Sequence, residues 1–213
     1  MTTDAAAPFS YDRRLQRTVD RLPVVHLEAA DPGPAPAWVE VTGMVARPQR
    51  LDIDALRAIE DRFVIADHHC VWGWSRRTCR WRGATLGAVL DHVGVLPGAR
   101  TVTVRCHLSE YASCLHLDDA RAGTLAWGLD GAPLDPAHGG PLRFQNPEWL
   151  WAYKGVKWAG RIEVGSEFAP GFWESLVGDP EGRIPPAVLG QFAHWKRRRR
   201  PRPRPRTPGP SPR

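Results

Sequence analysis

Hydrophobic residues in this chain recur mostly at every second position and in short runs, the period of strands with one buried face. Trp38-Val39-Glu40-Val41-Thr42-Gly43 alternates cleanly and closes on glycine. Phe63-Val64-Ile65-Ala66 is a short apolar run; it predicts a strand that delivers His68, His69 and Cys70 into a following loop. Thr101 to Cys106 is rich in β-branched residues, and Ser113–Leu117, Leu142–Gln145 and Trp158–Val164 predict further strands. Leu125–Leu129 runs into Asp130-Gly131, a tight-turn signal. Helical spacing is confined to a few places. Asp52 predicts a cap for a short helix with Ile53, Leu56 and Ile59 on one stripe. Leu86, Val89, Leu90 and Val93 predict another that stops at Gly94, and Asp118–Ala122 a single turn. Many short strands with a few brief helices predict a strand-rich, mixed α+β domain.

At 213 residues the chain is long enough for one domain with a substantial core, but short for two. Residues 1–21 read as a polar amino-terminal arm or short helix, 22–175 as the domain, 176–195 as a carboxy-terminal extension and 196–213 as a tail. The net charge of +6 belongs to that tail: it holds nine Lys or Arg residues and no acid, leaving 20 basic against 23 acidic residues elsewhere. Its Pro-Arg repeats predict an extended, disordered segment, an electrostatic handle for nucleic acid or an acidic partner. No apolar run reaches the ~18 residues of a membrane span. Arg13-Arg14 is not followed by an apolar stretch, so the expected location is cytoplasmic.

The four cysteines, at 70, 79, 106 and 114, show no Cys-x-x-Cys spacing and predict reduced thiols. Zinc is a rival reading, because His68, His69, His107 and His116 lie near them in sequence; the paired close spacing of a structural zinc site is missing. A more specific pattern follows the chain. Cys70 lies in Asp67-His68-His69-Cys70-Val71-Trp72-Gly73-Trp74-Ser75. Downstream come His138-Gly139-Gly140-Pro141-Leu142-Arg143 and Tyr153-Lys154-Gly155-Val156-Lys157-Trp158. One thiol, then an imidazole and a guanidinium around a Gly-Pro turn, then a glycine flanked by lysines can offer a soft metal one thiolate and an anionic cofactor several cations. Only three lysines occur beside 26 arginines, yet two are Lys154 and Lys157, which suggests a demand for compact charge. Among ten tryptophans, Trp72, Trp74 and Trp81 bracket Cys70, while Trp149, Trp151 and Trp158 surround the second basic segment. Most should pack the core; some can wall off a dry site.

In this order, and with Trp81-Arg82-Gly83 and the closing Pro170-Gly171-Phe172-Trp173-Glu174, these motifs resemble the molybdopterin-binding domain of the sulfite oxidase family. That family includes the methionine-sulfoxide-reducing catalytic subunits. The resemblance spans roughly residues 22–175 and implies a molybdenum–molybdopterin cofactor, one pterin dithiolene on one molybdenum. Cys70 takes the position of the metal ligand and catalytic thiolate, and Cys106, His138, Arg143, Gly155, Val156 and Lys157 those of cofactor-binding residues. Gly155 would admit the cofactor where a side chain would block it. The implied activity is two-electron oxygen-atom transfer with a small oxyanion or sulfoxide-like substrate and a separate electron carrier.

The chain departs from the family at several positions. Cys106 stands where relatives often carry Ser or Thr. Trp127 stands where sulfite-oxidising relatives have tyrosine, and an indole cannot accept a hydrogen bond or titrate. Leu22-Pro23-Val24-Val25-His26 replaces the Phe-x-Arg-Asn-His pattern, with His26 a candidate cofactor contact. Tyr111 is a candidate pocket residue. The alternative reading is a cofactor-less member of the fold that acts as a binding module through its basic tail.

Overall fold

The computed structural model describes residues 16–25, 34–176 and 179–190. The basic tail, His26 and most of the amino-terminal arm lie outside them.

Among the described residues, eleven strands form two sheets. The strands are β1 (Arg17–Val19), β2 (Trp38–Gly43), β3 (Gln49–Asp52), β4 (Arg62–Cys70), β5 (Trp74–Thr85), β6 (Thr101–Cys106), β7 (Ala112–His116), β8 (Thr124–Leu129), β9 (Ala132–Pro133), β10 (Arg143–Gln145) and β11 (Ala159–Gly165). The helices are α1 (Ile53–Ile59), α2 (Leu86–Val93), α3 (Leu117–Ala122) and α4 (Phe172–Leu176), with 3-10 turns at Pro136–His138 and Ala152–Lys154. One sheet runs β1-β5-β8-β10, with β4 also on β5 and β9 on β8; the other runs β3-β2-β11-β6-β7. This is the strand-rich α+β arrangement that the residue pattern predicts.

Local signals account for much of it. The Asp52 carboxylate accepts the Ala55 N–H at 2.8 Å and starts α1; the Thr85 hydroxyl does the same for Ala88 at 3.3 Å and starts α2. Asp130 and Gly131 both take positive φ, 54° and 94°, and turn β8 into β9 with the hand that suits a two-residue hairpin. Valines 39 and 41 of β2, 102 and 104 of β6, with Ile162 and Val164 of β11, bury one face of the second sheet against Leu56 of α1 and the apolar stripe of α2. A smaller cluster of Leu22, Ala66, Trp74, Cys79, Trp81, Ala126 and Leu134 covers part of the first sheet.

The amino-terminal arm is ordered where described, not the short helix of the other reading, and it runs past residue 21 to Val25. Its described part is a strand, β1, paired in parallel with Trp74–Arg76 of β5, and Leu22 beyond it enters the smaller cluster. The segment expected to be a loop at His68–Cys70 differs, because β4 continues through Cys70, paired with β5 to Trp74. Between Ala66 and His68 the register shifts: Arg77 and Thr78 oppose Asp67 alone. Thr78 takes φ 52°, and its N–H is held by the Asp67 carboxylate at 2.8 Å. The extra residue is on β5, which bends there, and the pairing with β4 resumes at His68. On β4 itself His68 and Cys70 are two positions apart and therefore on one face.

Candidate functional site

A cavity of about 170 Å³ opens where β4 ends, bounded by elements of both sheets. Cys70 and His68 enter from β4, Cys106 from the end of β6, Arg143 from β10, His138 from the first 3-10 turn, and Gly155 and Lys157 from the segment after the second. Trp72, Trp74, Trp158 and Trp173 supply aromatic wall, and Pro23 and Val25 of the arm close one side. Six of the seven sequence-predicted site residues thus border one space. The seventh, Val156, does not. Its side chain is in the main core, and its N–H and C=O pair with Phe144 at 2.9 and 2.8 Å. It holds the strand-like segment that carries Gly155 and Lys157.

Arg143 dominates the electrostatics. Its side chain is buried, with Nη1 donating to the His138 carbonyl at 3.0 Å and the guanidinium 5.6 Å from the Trp81 ring. Its Nε is buried without a partner, and no carboxylate pairs with it among the described residues. Burial lowers its pKa to about 10, still far above neutrality, so the cation persists. A buried cation without an anion is costly, by about several kcal/mol, unless a ligand neutralises it. Lys157 Nζ donates to the carbonyls of Val25 and Ala137 at 2.9 and 2.8 Å, which ties the arm to the cavity wall.

Cys70 is neutral in this setting. Burial pushes its thiol up to about 11, against a weaker opposing hydrogen bond from the Trp72 backbone. Only an added cation would ionise it near neutral pH. The Cys106 sulfur accepts the Leu108 N–H at 3.3 Å. Among the described residues no three His, Cys, Asp or Glu side chains cluster as metal donors, so the several-ligand cage of a structural zinc site is not formed there.

Three sequence readings change. Gly155 is required by packing: a Cβ there would stand 2.9 Å from Asn146 Oδ1 and 3.1 Å from the Phe144 carbonyl. Its absence of a side chain answers β10, not the cavity. Lys154 is not a cavity cation. It is fully buried and donates to the Cys114 carbonyl, the Glu174 carboxylate and, at 2.9 Å, the Pro180 carbonyl. Glu174 also receives the Ser113 hydroxyl at 2.8 Å. This clasp fixes α4 and places the adjacent Trp173 at the cavity, where it meets Trp72 edge-on at 6.3 Å. Trp127 lies in the main core and away from the cavity, so its indole carries no argument about substrate. Tyr111 does line the cavity and donates to the Tyr153 carbonyl.

His68 was considered in the sequence only as a zinc donor. It is buried, stacked 5.8 Å from Trp74, and bonded through Nδ1 to Gln145 Oε1 at 3.2 Å. Burial, then the positive charge of Arg143, hold its pKa well below the ordinary histidine value. The signal that could have found it is its i, i+2 relation to Cys70, visible only once β4 is known to continue that far.

The residues fit an anionic, metal-bearing cofactor: the Cys70 thiol, a buried guanidinium with an orphaned N–H, and aromatic walls in one cavity. Comparisons with known proteins agree. A family model, the oxidoreductase molybdopterin binding domain, matches residues 28–173. The uncharacterised oxidoreductase YuiH of Bacillus subtilis (strain 168) is 36% identical over 149 residues, 67% of this chain and 74% of the relative. The protein-methionine-sulfoxide reductase catalytic subunit MsrP of Gluconobacter oxydans (strain 621H) is 31% identical over 170 residues, 70% of this chain and 53% of the relative. The chain thus spans about half of that protein's length. The solved structure of the sulfane dehydrogenase SoxCD from Paracoccus pantotrophus shares the fold, with a TM-score of 0.55 at 18% identity over 61% of this chain and 38% of that one. With the family match over most of its length and a relative at 36% identity, the chain belongs to the sulfite oxidase-like family of molybdopterin-binding oxidoreductases.

Proposed function

We propose that this domain holds molybdenum through Cys70 and one molybdopterin, and catalyses two-electron oxygen-atom transfer to or from a small oxyanion or sulfoxide-like molecule, with electrons exchanged with a separate carrier. The observation that carries this reading is Arg143: a buried cation with no carboxylate against it among the described residues, on the wall of the cavity that Cys70 also lines. The cofactor, when bound, supplies a metal that changes its oxidation state by two electrons, with the chemistry residing in the cofactor.

The chain does the rest. Cys70 would give the soft, electron-donating ligand, held as the thiolate beside the metal's positive charge. Arg143 would offer the cofactor's phosphate a planar fork and Lys157 a point charge. His138 and Cys106 stand at the cavity edge as further hydrogen-bonding groups. Val156 has both backbone polar groups committed to Phe144, so its part is to hold Lys157 in place. Trp72, Trp74, Trp158 and Trp173 exclude water and raise the strength of every charge interaction inside. The sulfoxide side of the substrate choice draws support from MsrP, whose name records methionine sulfoxide as its substrate.

The test is the content of the full chain purified from a host that makes molybdopterin. About one molybdenum and one extractable pterin per chain are expected. Arg143→Met removes a buried charge that has no anion partner, so the metal-free fold should persist while pterin content falls about tenfold or more. Metal-free wild-type protein that instead forms a salt-sensitive complex with nucleic acid through residues 196–213 would overturn the reading in favour of a binding module.

A further inference from the structure

His68 faces the cavity, yet nothing so far gives it a task. Its tautomer can be worked out from the residues behind it. Asn146 Nδ2 lies 3.0, 2.8 and 3.3 Å from the carbonyls of Pro147, Leu150 and Trp151, so that end of the amide must be the NH2 group. Gln145 Nε2 in turn lies 3.0 Å from the Asn146 carbonyl and 3.4 Å from Asn146 Oδ1, two acceptors that require a donor. The Gln145 oxygen is therefore the atom turned toward His68, 3.2 Å from Nδ1. An amide oxygen only accepts, so Nδ1 must carry a proton, and in the neutral ring Nε2 is then a bare acceptor. All three side chains are buried, so water does not scramble the order. Among the described residues no donor meets Nε2. Arg143 and Lys157 line the same cavity as the buried ring, and among the described residues no carboxylate pairs with it.

We propose that Nε2 of His68 accepts a hydrogen bond from an N–H group on the pterin of the bound cofactor, with Gln145 as the positioning residue that holds the imidazole in the Nδ1–H form. Arg143 and Lys157 answer the anionic end of the ligand; His68 answers a donor edge, a chemistry that neither cation can recognise. The pair thereby selects for a ligand with both features. This inference rests on the molybdopterin reading above.

Two measurements test it. In the cofactor-free chain, a long-range nitrogen–proton NMR spectrum should show His68 with Nδ1 protonated and Nε2 bare. Gln145→Leu should release that lock and let the Nε2–H form appear. In the loaded chain, His68→Phe keeps a flat ring against Trp74 but has no acceptor. It should lose pterin on dialysis on the order of 5- to 10-fold faster than wild type, the effect of one hydrogen bond. A protonated Nε2 in wild type overturns the inference, as does equal pterin retention in His68→Phe. Loaded wild type with an unaffected His68→Phe variant leaves the molybdopterin reading standing; wild type that never holds pterin removes both.

Discussion

A thiol walled in by tryptophan and kept from water is a poor nucleophile, and Cys70 is such a thiol before any metal reaches it. Its pKa near 11 sets a pH dependence for the metal-free protein. Burial penalises the thiolate, so below pH 11 the group is mainly S–H, and the reactive fraction grows roughly tenfold per pH unit toward that value. Alkylation of Cys70 by iodoacetamide, followed by mass spectrometry of its peptide, should be slow at pH 8 and rise steeply toward pH 11. Alkylation at the rate of an unhindered thiol at pH 8 would show that the cavity does not desolvate the sulfur. Residue type and the motif resemblance made Cys70, His138, Arg143 and Lys157 candidates in the sequence, and all four line the cavity. Lys154 shows the limit. Its neighbour in the motif faces the cavity, but one position along the 3-10 turn sends Lys154 into the interior, where Glu174, twenty residues on, receives it. No local pattern announces that partnership.

That clasp belongs to the scale of elements. Lys154 and Glu174 are both buried, and together they tie the second 3-10 turn and β7 to α4. Lys154→Met would strand the Glu174 carboxylate and should cost about 3–5 kcal/mol of stability in urea unfolding. The double variant Lys154→Met with Glu174→Leu should recover much of that loss, since it removes both charges. Equal midpoints for wild type and Lys154→Met would show that the pair holds nothing. Other elements were easier to read. The period-two runs of β2, β6 and β11 and the capped stripes of α1 and α2 follow from burial on one face, which leaves a direct trace in the order of residues. β5 left almost none. Trp74–Thr85 carries four arginines, and its bulge at Arg77 and Thr78 breaks the alternation. For the same reason β4 was expected to end near Ala66, although its partner strand carries it through Cys70. Pairing between distant segments, not local preference, sets those boundaries.

At the scale of the whole molecule, the site exists because strands from both sheets end at one place and the described arm closes over it. Pro23 and Val25 line the cavity although the family match begins only at residue 28, so this wall is contributed from outside the matched segment. The motifs 70, 138–143 and 155–157 lie far apart along the chain and become one site only through this topology. Their order in sequence pointed to a family, while the cavity shows what unites them: the Cys70 sulfur and a buried cation with no carboxylate against it among the described residues. The central claim is a bond from Cys70 sulfur to molybdenum. X-ray absorption at the molybdenum edge, on purified full chain and on its Cys70→Ser variant, tests it most directly. The account predicts one sulfur neighbour fewer around the metal in the variant, with the pterin sulfurs unchanged. Identical sulfur shells in the two proteins, at equal metal content, would contradict it.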